Sequence, residues 1–195
     1  MTISLFIEQI LNGLQFGVML FLMSAGLTLV FGVMGLINLA HGSFYMIGAF
    51  AAALFAELTG SFLIAMIASF VAALFAGALT ELIIIRKIYK RDHLDQVLAT
   101  FALILLFSEG IRWIFGAYPL YLDIPNSLSS SFNLPFEIIY SKYRMMIILV
   151  GIIIAIILYF LISKTLIGIR IKAGQNDREM IGALGVDVTK LYTIV

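Results

Sequence analysis

Cysteine is absent from this chain, and with it any disulfide framework or thiolate metal site. Redox compartment therefore cannot be read. Proline occurs at only three positions, Pro119, Pro125 and Pro135, all in one stretch. Charge is scarce: Asp, Glu, Lys and Arg make up 12% of the 195 residues, against about 25% in soluble domains. The formal net charge is +1, which leaves no basic excess for gripping a phosphate backbone. Residues 1–85 hold no Lys or Arg at all. What fills the chain is apolar: 63% of residues are hydrophobic and the mean hydropathy is +1.12. These figures exclude an ordinary water-soluble enzyme, a disordered protein and a nucleic-acid binder. They describe a polytopic membrane protein.

A helix crossing the hydrocarbon core needs about 20 mostly apolar residues. Five stretches qualify: Leu5 to Phe31, Leu36 to Phe55, Ser61 to Ile85, Leu94 to Phe115, and Arg144 to Ser163. They predict an all-α transmembrane helical bundle. Nine of the 12 Lys and Arg lie in two polar segments, one from Arg86 to His93 and one from Lys164 onward. Basic residues are retained on the cytoplasmic side. Two spans separate these segments, so they fall on one side, and the loop from Gly116 to Tyr143 falls outside. That loop holds the three prolines and the Ser129–Ser131 run, which predict irregular structure. Trp113, Tyr118, Tyr121, Tyr140 and Tyr143 stand where an interfacial aromatic belt would. The same parity places the amino terminus outside. No basic n-region of a signal peptide precedes the first span, which reads as retained.

Small residues form stripes that let helices approach closely in lipid: Gly13 and Gly17, then Gly48, Ala52 and Ala56, then Ala65, Ser69, Ala73 and Gly77. Plain bundle packing accounts for them, and they say nothing of substrate. Polar residues inside a span cost free energy unless paired or facing a wet cavity. The densest group is Asn38, His41 and Ser43, ringed by Gly32, Gly35, Gly42 and Gly48. Such glycine density weakens a helix, so a discontinuous helix is expected here, as at transporter sites near the midplane. Hydrogen bonds to neighbouring helices are the competing explanation. His41 has no second His or carboxylate at ligand spacing, which argues against a metal site or a general base. Asn12, Gln15, Ser24 and Thr28 of the first span read as helix–helix hydrogen-bonding residues. Glu81 stands before Arg86 and Lys87 as a pairing partner, and Glu109 and Arg112 are spaced for an intrahelical ion pair.

The segment after the fifth span is more specific. Asn176 reads as an N-cap with Glu179 three residues on, resembling a capping box, and Gly185 as the C′ residue that stops the helix. This predicts a short helix from Asp177 to Leu184. Met180, Ile181 and Leu184 give it an apolar stripe. In a basic loop, such a helix is either a docking element for a partner or an interfacial helix resting on lipid.

The run Gly26-Leu27-Thr28-Leu29-Val30-Phe31-Gly32-Val33-Met34-Gly35-Leu36-Ile37-Asn38-Leu39-Ala40-His41-Gly42-Ser43-Phe44-Tyr45-Met46-Ile47-Gly48-Ala49-Phe50, together with Gly168 to Val188, resembles permease subunits of the branched-chain amino-acid ABC importers, LivH type. The resemblance covers essentially the whole chain. It implies one transmembrane permease domain over residues 1–195, with a cytoplasmic coupling loop at 164–190 inside it. It also implies further spans beyond Val195. The resemblance implies a multi-pass protein of the bacterial inner membrane that works with a second permease subunit, two cytoplasmic ABC ATPase subunits, a periplasmic or extracellular substrate-binding protein and membrane lipid, and not with nucleic acid. The chain has no Gly-x-x-x-x-Gly-Lys-Ser/Thr loop, so the expectation is no cofactor and no catalytic residue here; ATP and Mg are bound by the partner ATPases. The expected coupling residues are Asp177, Arg178, Glu179, Met180, Ile181, Leu184 and Gly185. The expected substrate pathway runs along the first two spans, with Asn38, His41 and Ser43 as its polar lining and Gln15 and Thr28 as further candidates. Leu, Ile and Val are the first expectation for substrate, and close relatives move urea or short amides. Two readings from other classes stay open: an ion-gradient-driven secondary transporter subunit, and an intramembrane enzyme using His41 or Glu57.

Overall fold

The computed structural model describes residues 3–89, 91–135 and 138–194. Lys90, expected in the first basic segment, and Val195 lie outside the described residues. In chain order the elements are α1 (Ile3–Met34), α2 (His41–Thr59), α3 (Phe62–Thr80), a π-helical turn (Glu81–Ile85) and α4 (Arg86–Ile88). Then follow α5 (His93–Phe115), α6 (Asn126–Ser129), β1 (Ser131–Leu134), β2 (Ile138–Ser141), α7 (Lys142–Lys164), α8 (Leu166–Asn176), α9 (Arg178–Ala183) and α10 (Val188–Ile194).

Among the described residues, five helices are long and apolar enough to cross a membrane: Ile3–Gly32, His41–Thr59, Phe62–Ile88, His93–Phe115 and Lys142–Lys164. All five expected spans are present, and three of their ends move by three residues or more; the second ends at Thr59 rather than Phe55. The second begins at His41 rather than Leu36. Gly35, at φ 62°, closes α1 with its N–H on the Phe31 carbonyl at 2.8 Å, a left-handed position that favours glycine. Asn38 then folds its side chain onto the following backbone, accepting from the Ala40 N–H at 3.1 Å. That local turn competes with helix and delays α2. The third span continues past Ile85 to Ile88, through the π-turn. The described chain leaves most of each span uncovered, so the apolar faces need lipid or another protein to cover them.

The chain forms two compact units. One comprises Met1–Gly26 with Ile124–Ile171. Here α7 lies close on α1 because Gly151 has no side chain: a Cβ there would run into Val18 and stand 3.7 Å from Leu22. One step toward the other end, Arg144 Nη1 donates to Asn12 Oδ1 at 2.8 Å. The two contacts ascend both helices together, so α1 and α7 run parallel. The expected irregular loop contains an antiparallel hairpin instead, with Phe132 opposite Tyr140 and Asn133 opposite Ile139. Ile138 and Tyr140 point inward while Ile139 is exposed, the period-2 alternation of a strand with one buried face.

The other unit comprises Leu27–Asp123 with Lys172–Val195. Its α2 and α3 form a hairpin turned at Gly60, which sits at φ 63°. Ser61 caps α3 by accepting from the Ile64 N–H. Gly48 lets the pair close up: its Cβ position is 3.1 Å from Ser69 Oγ and 3.6 Å from the Ala73 Cβ. Phe44 meets Phe107 and Phe50 meets Phe115, with ring centroids 5.9 and 5.1 Å apart, so α2 and α5 run parallel. Leu36, Ala40, Ala65, Thr100 and Leu103 are buried in this core. The stripe logic therefore holds for Gly48, Ser69 and Ala73. It fails for Gly13, Gly17 and Gly77, where a Cβ would meet nothing within 4 Å among the described residues.

Candidate functional site

The break between α1 and α2 gathers the expected polar group. Asn38 and Ser43 are buried, and His41 is half-buried. Only His41 and Ser43 lie on α2; Asn38 sits in the turn before it, at the break where a discontinuous helix was expected. The backbone of the break is satisfied locally. The His41 N–H reaches the Asn38 carbonyl at 3.3 Å, and the Ser43 N–H reaches the Ala40 carbonyl at 2.9 Å. Thr100 of α5 places its hydroxyl 2.8 Å from the Gln96 carbonyl and 3.3 Å from that of Ile37. Thr100 is about two turns into α5, so the break lies toward the basic end of that helix rather than at its middle. The other two pathway candidates lie on α1: Gln15 is half-buried and Thr28 exposed, and neither makes a hydrogen bond among the described residues. Of the remaining polar residues of α1, Asn12 meets Arg144, whereas Ser24 turns back to the Phe21 carbonyl of its own helix.

The short helix after the fifth span is α9, and its caps differ in part from the expectation. Asp177, not Asn176, is the N-cap: its Oδ1 accepts from the Met180 N–H at 2.9 Å. Asn176 instead ends α8, a helix that sequence patterning had not separated from the loop. With the cap moved by one residue, Glu179 is no longer three places beyond it. The carboxyl end is as expected. Gly185 stands at φ 85°, its N–H on the Gly182 carbonyl at 3.0 Å, and the Val186 N–H reaches the Ile181 carbonyl at 3.2 Å. That pair of bonds is a Schellman motif, with Leu184 as C-cap. The apolar stripe divides. Met180 is 62% and Leu184 76% exposed, while Ile181 is 4% exposed and packed inside the chain's own fold. Asp177, Glu179 and Gly185 are exposed. The side chain of Arg178 lies outside the described residues.

A third group was legible only in part. Glu81, 7% exposed, opens the π-turn of the third span. Arg86 grips it with two bonds, Nε to Oε1 and Nη2 to Oε2, each 3.2 Å. The Tyr89 hydroxyl donates to Glu81 Oε1 at 2.7 Å. Burial, and then that bond to Glu81, push the Tyr89 phenol well above its usual range, so it stays a donor. Arg86 Nη2 also donates to Thr193 Oγ1 of α10 at 2.9 Å. The Tyr89 and Tyr192 rings meet edge to face with centroids 5.0 Å apart. The expected pairing of Glu81 thus falls to Arg86, and Lys87 is exposed. Its link to α10 had no local sequence signal, because Thr193 is 107 residues away. Gln96 was also missed. Its side-chain amide donates to the carbonyls of Ile88 and Arg91 at 3.3 and 3.1 Å, tying α5 to the turn that follows the third span. The Glu109–Arg112 pair forms as expected at 3.2 Å, fully on the surface.

The family described as "Branched-chain amino acid transport system / permease component" matches residues 9–195. A high-affinity branched-chain amino acid transport system permease protein, BraD of Pseudomonas aeruginosa, is 23% identical over 97% of this chain and 65% of its own length. A probable branched-chain amino acid transport permease protein, LivH of Methanocaldococcus jannaschii, is 28% identical over 94% of this chain and 59% of its own. LivH of Escherichia coli K12 is 44% identical over 45 residues, which are 23% of this chain and 15% of that protein. The chain therefore spans about two thirds or less of the relatives it matches. No solved structure matches it. The family match covers nearly all of the chain, and five helices among the described residues are long and apolar enough to cross a membrane: this chain belongs to the permease-component family of branched-chain amino acid transport systems.

Proposed function

We propose that the chain is part of the membrane-spanning permease of an ABC importer that carries leucine, isoleucine and valine across a bacterial inner membrane. Its basic segments, Arg86–Arg91 and Lys164–Lys190, face the cytoplasm, and the β-hairpin loop faces outside. A binding protein delivers substrate to the outer face, a second permease subunit completes the pathway, and two ATPases below bind ATP and Mg and supply the power. The chain itself performs no hydrolysis.

The observation that carries this reading is α9. A helix of six residues is too short to persist on its own, yet here it is closed at both ends and held by a buried Ile181. It presents Met180 and Leu184 outward as an exposed apolar pair. A partner groove that takes those two side chains is the docking site, with Glu179 and Arg178 at its polar rim. Asn38, His41 and Ser43 line the inner part of the substrate path at the α1–α2 break, and Gln15 and Thr28 line it along α1. In this reading Asn38 has two roles, because its Oδ1 also holds the turn.

The test is co-purification. Leu184→Asp with Gly185→Pro removes one exposed apolar contact and forces a residue fixed near φ −65° onto a left-handed position. The ATPase subunit is expected to be lost from the purified complex while the permease still reaches the membrane. Retention of the ATPase at wild-type stoichiometry would show that α9 is not the docking helix.

A further inference from the structure

A carboxylate buried inside a membrane span is costly and calls for a purpose. Glu81 is such a group, and the backbone around it is irregular in a way that serves it. In a regular α-helix, residues five apart lie about 140° round the axis and do not meet. Here the turn is widened: the Arg86 N–H reaches back five residues to the Glu81 carbonyl. Thr80, just before it, bonds its hydroxyl to the Ala76 carbonyl at 2.7 Å, a back-bond that bends helices. The widened turn brings the Arg86 fork onto the Glu81 carboxylate. Single π-turns inside α-helices are frequent at functional sites.

The same cluster is where the carboxyl-terminal segment joins the spans. Arg86 holds Glu81 with one edge and Thr193 with its Nη2, and Tyr89 holds Glu81 with its hydroxyl and Tyr192 with its ring. Tyr192 and its neighbour Leu191 are buried, so α10 is seated firmly. Helix α10 in turn packs against α9. A continuous set of contacts therefore runs from the exposed pair of α9, through α10, into the third span at its irregular turn.

We propose that Glu81, Arg86 and Tyr89 form the joint through which movement of α9 and α10 is passed to the third span, with Glu81 as the positioning residue that fixes the Arg86 fork and the Tyr89 ring. This rests on the reading of α9 as the ATPase-docking helix. A charged fork, a phenol and a ring pair transmit displacement better than apolar contact alone, because they hold one geometry and resist sliding. The widened turn lets the inner end of the span swing without breaking the helix above it.

The test uses the whole transporter, with its ATPases and binding protein, reconstituted in proteoliposomes. Two variants strike the joint from opposite sides. Glu81→Gln removes the charge that holds Arg86, and Thr193→Val with Tyr192→Leu removes the far contacts while leaving the Glu81–Arg86 pair intact. Leucine imported per ATP hydrolysed is expected to fall about tenfold in each, a size typical of coupling between sites, while ATPase co-purification and basal hydrolysis stay within about twofold of wild type. Thr193→Ser, which keeps the hydroxyl, is expected to restore the ratio. If Glu81→Gln fails to assemble, the second pair decides. An import-to-hydrolysis ratio within about twofold of wild type in the Thr193→Val/Tyr192→Leu variant would overturn the joint. Wild-type protein that neither retains an ATPase nor imports leucine would instead overturn the importer reading, and the joint with it.

Discussion

Single residues set the closest approaches in this protein, and glycine sets them by what it lacks. At Gly151 even one added methyl would collide with Val18, whereas at Gly110 of α5 a Cβ would meet nothing within 4 Å. The two positions are both helical glycines, yet they carry opposite expectations. Gly151→Ala should lower stability by about 1–3 kcal/mol through overpacking. Gly110→Ala should leave stability unchanged or raise it, by up to about 1 kcal/mol of helix propensity. Thermal unfolding of the two variants in one detergent checks this, and equal effects would mean that α7 does not lie close on α1. The pair also shows the limit of reading stripes. Gly13 and Gly17 had the spacing of a packing motif, yet a Cβ at either would meet nothing within 4 Å among the described residues, while Gly151 stood in no stripe and lies directly on Val18. Spacing names the face a glycine would offer; only the partner helix decides whether the face is used.

At the scale of elements, the spans were legible because burial in lipid leaves a long apolar run that composition alone reveals. Their ends were less so, since a side chain can redirect the backbone. Gly35 closes α1 at a left-handed position, and Asn38 delays α2 by holding the Ala40 N–H itself. At α9 the stop was legible in Gly185, which the left-handed position requires, and the start was misplaced by one residue because Asn176 and Asp177 are both good caps. The π-turn left no mark in the sequence, and nothing in the string brings Arg86 to Thr193. For α10 the cap makes a pH-dependent expectation. Asp187 accepts from the Lys190 N–H at 3.0 Å, and that bond holds its carboxyl below the usual carboxylate range. A depressed carboxylate stabilises the fold above its ordinary unfolded value, and the contribution is lost as pH falls through the lower folded value. Amide exchange at Leu191 and Tyr192 should therefore accelerate on acidification below the ordinary carboxylate range, after correction for the intrinsic rate. Asp187→Asn should flatten that dependence. An acid-independent protection factor in the unmodified protein would contradict the cap.

On the scale of the whole molecule, the proposed arrangement puts both basic segments on the cytoplasmic side, where Lys and Arg are retained. Within the second unit, α2 and α5 rise together from the end that carries the basic residues, and the α1–α2 break lies near that end. The polar group of Asn38, His41 and Ser43 was legible as a cluster, but its depth was not, because depth follows from the contact of Ile37 with Thr100, 63 residues on. The family was legible from the same residues, since the run from Gly26 to Phe50 holds the glycines and polar groups that the break uses. The substrate is the central claim that remains a proposal, and one measurement addresses it directly: uptake of labelled leucine by the source strain with and without this gene, in a background cleared of other leucine importers. Loss of uptake on deletion, with the wild-type signal competed by isoleucine and valine but not by urea, is the expected result. Undiminished leucine uptake in the deletion strain, or competition by urea alone, would contradict the branched-chain assignment.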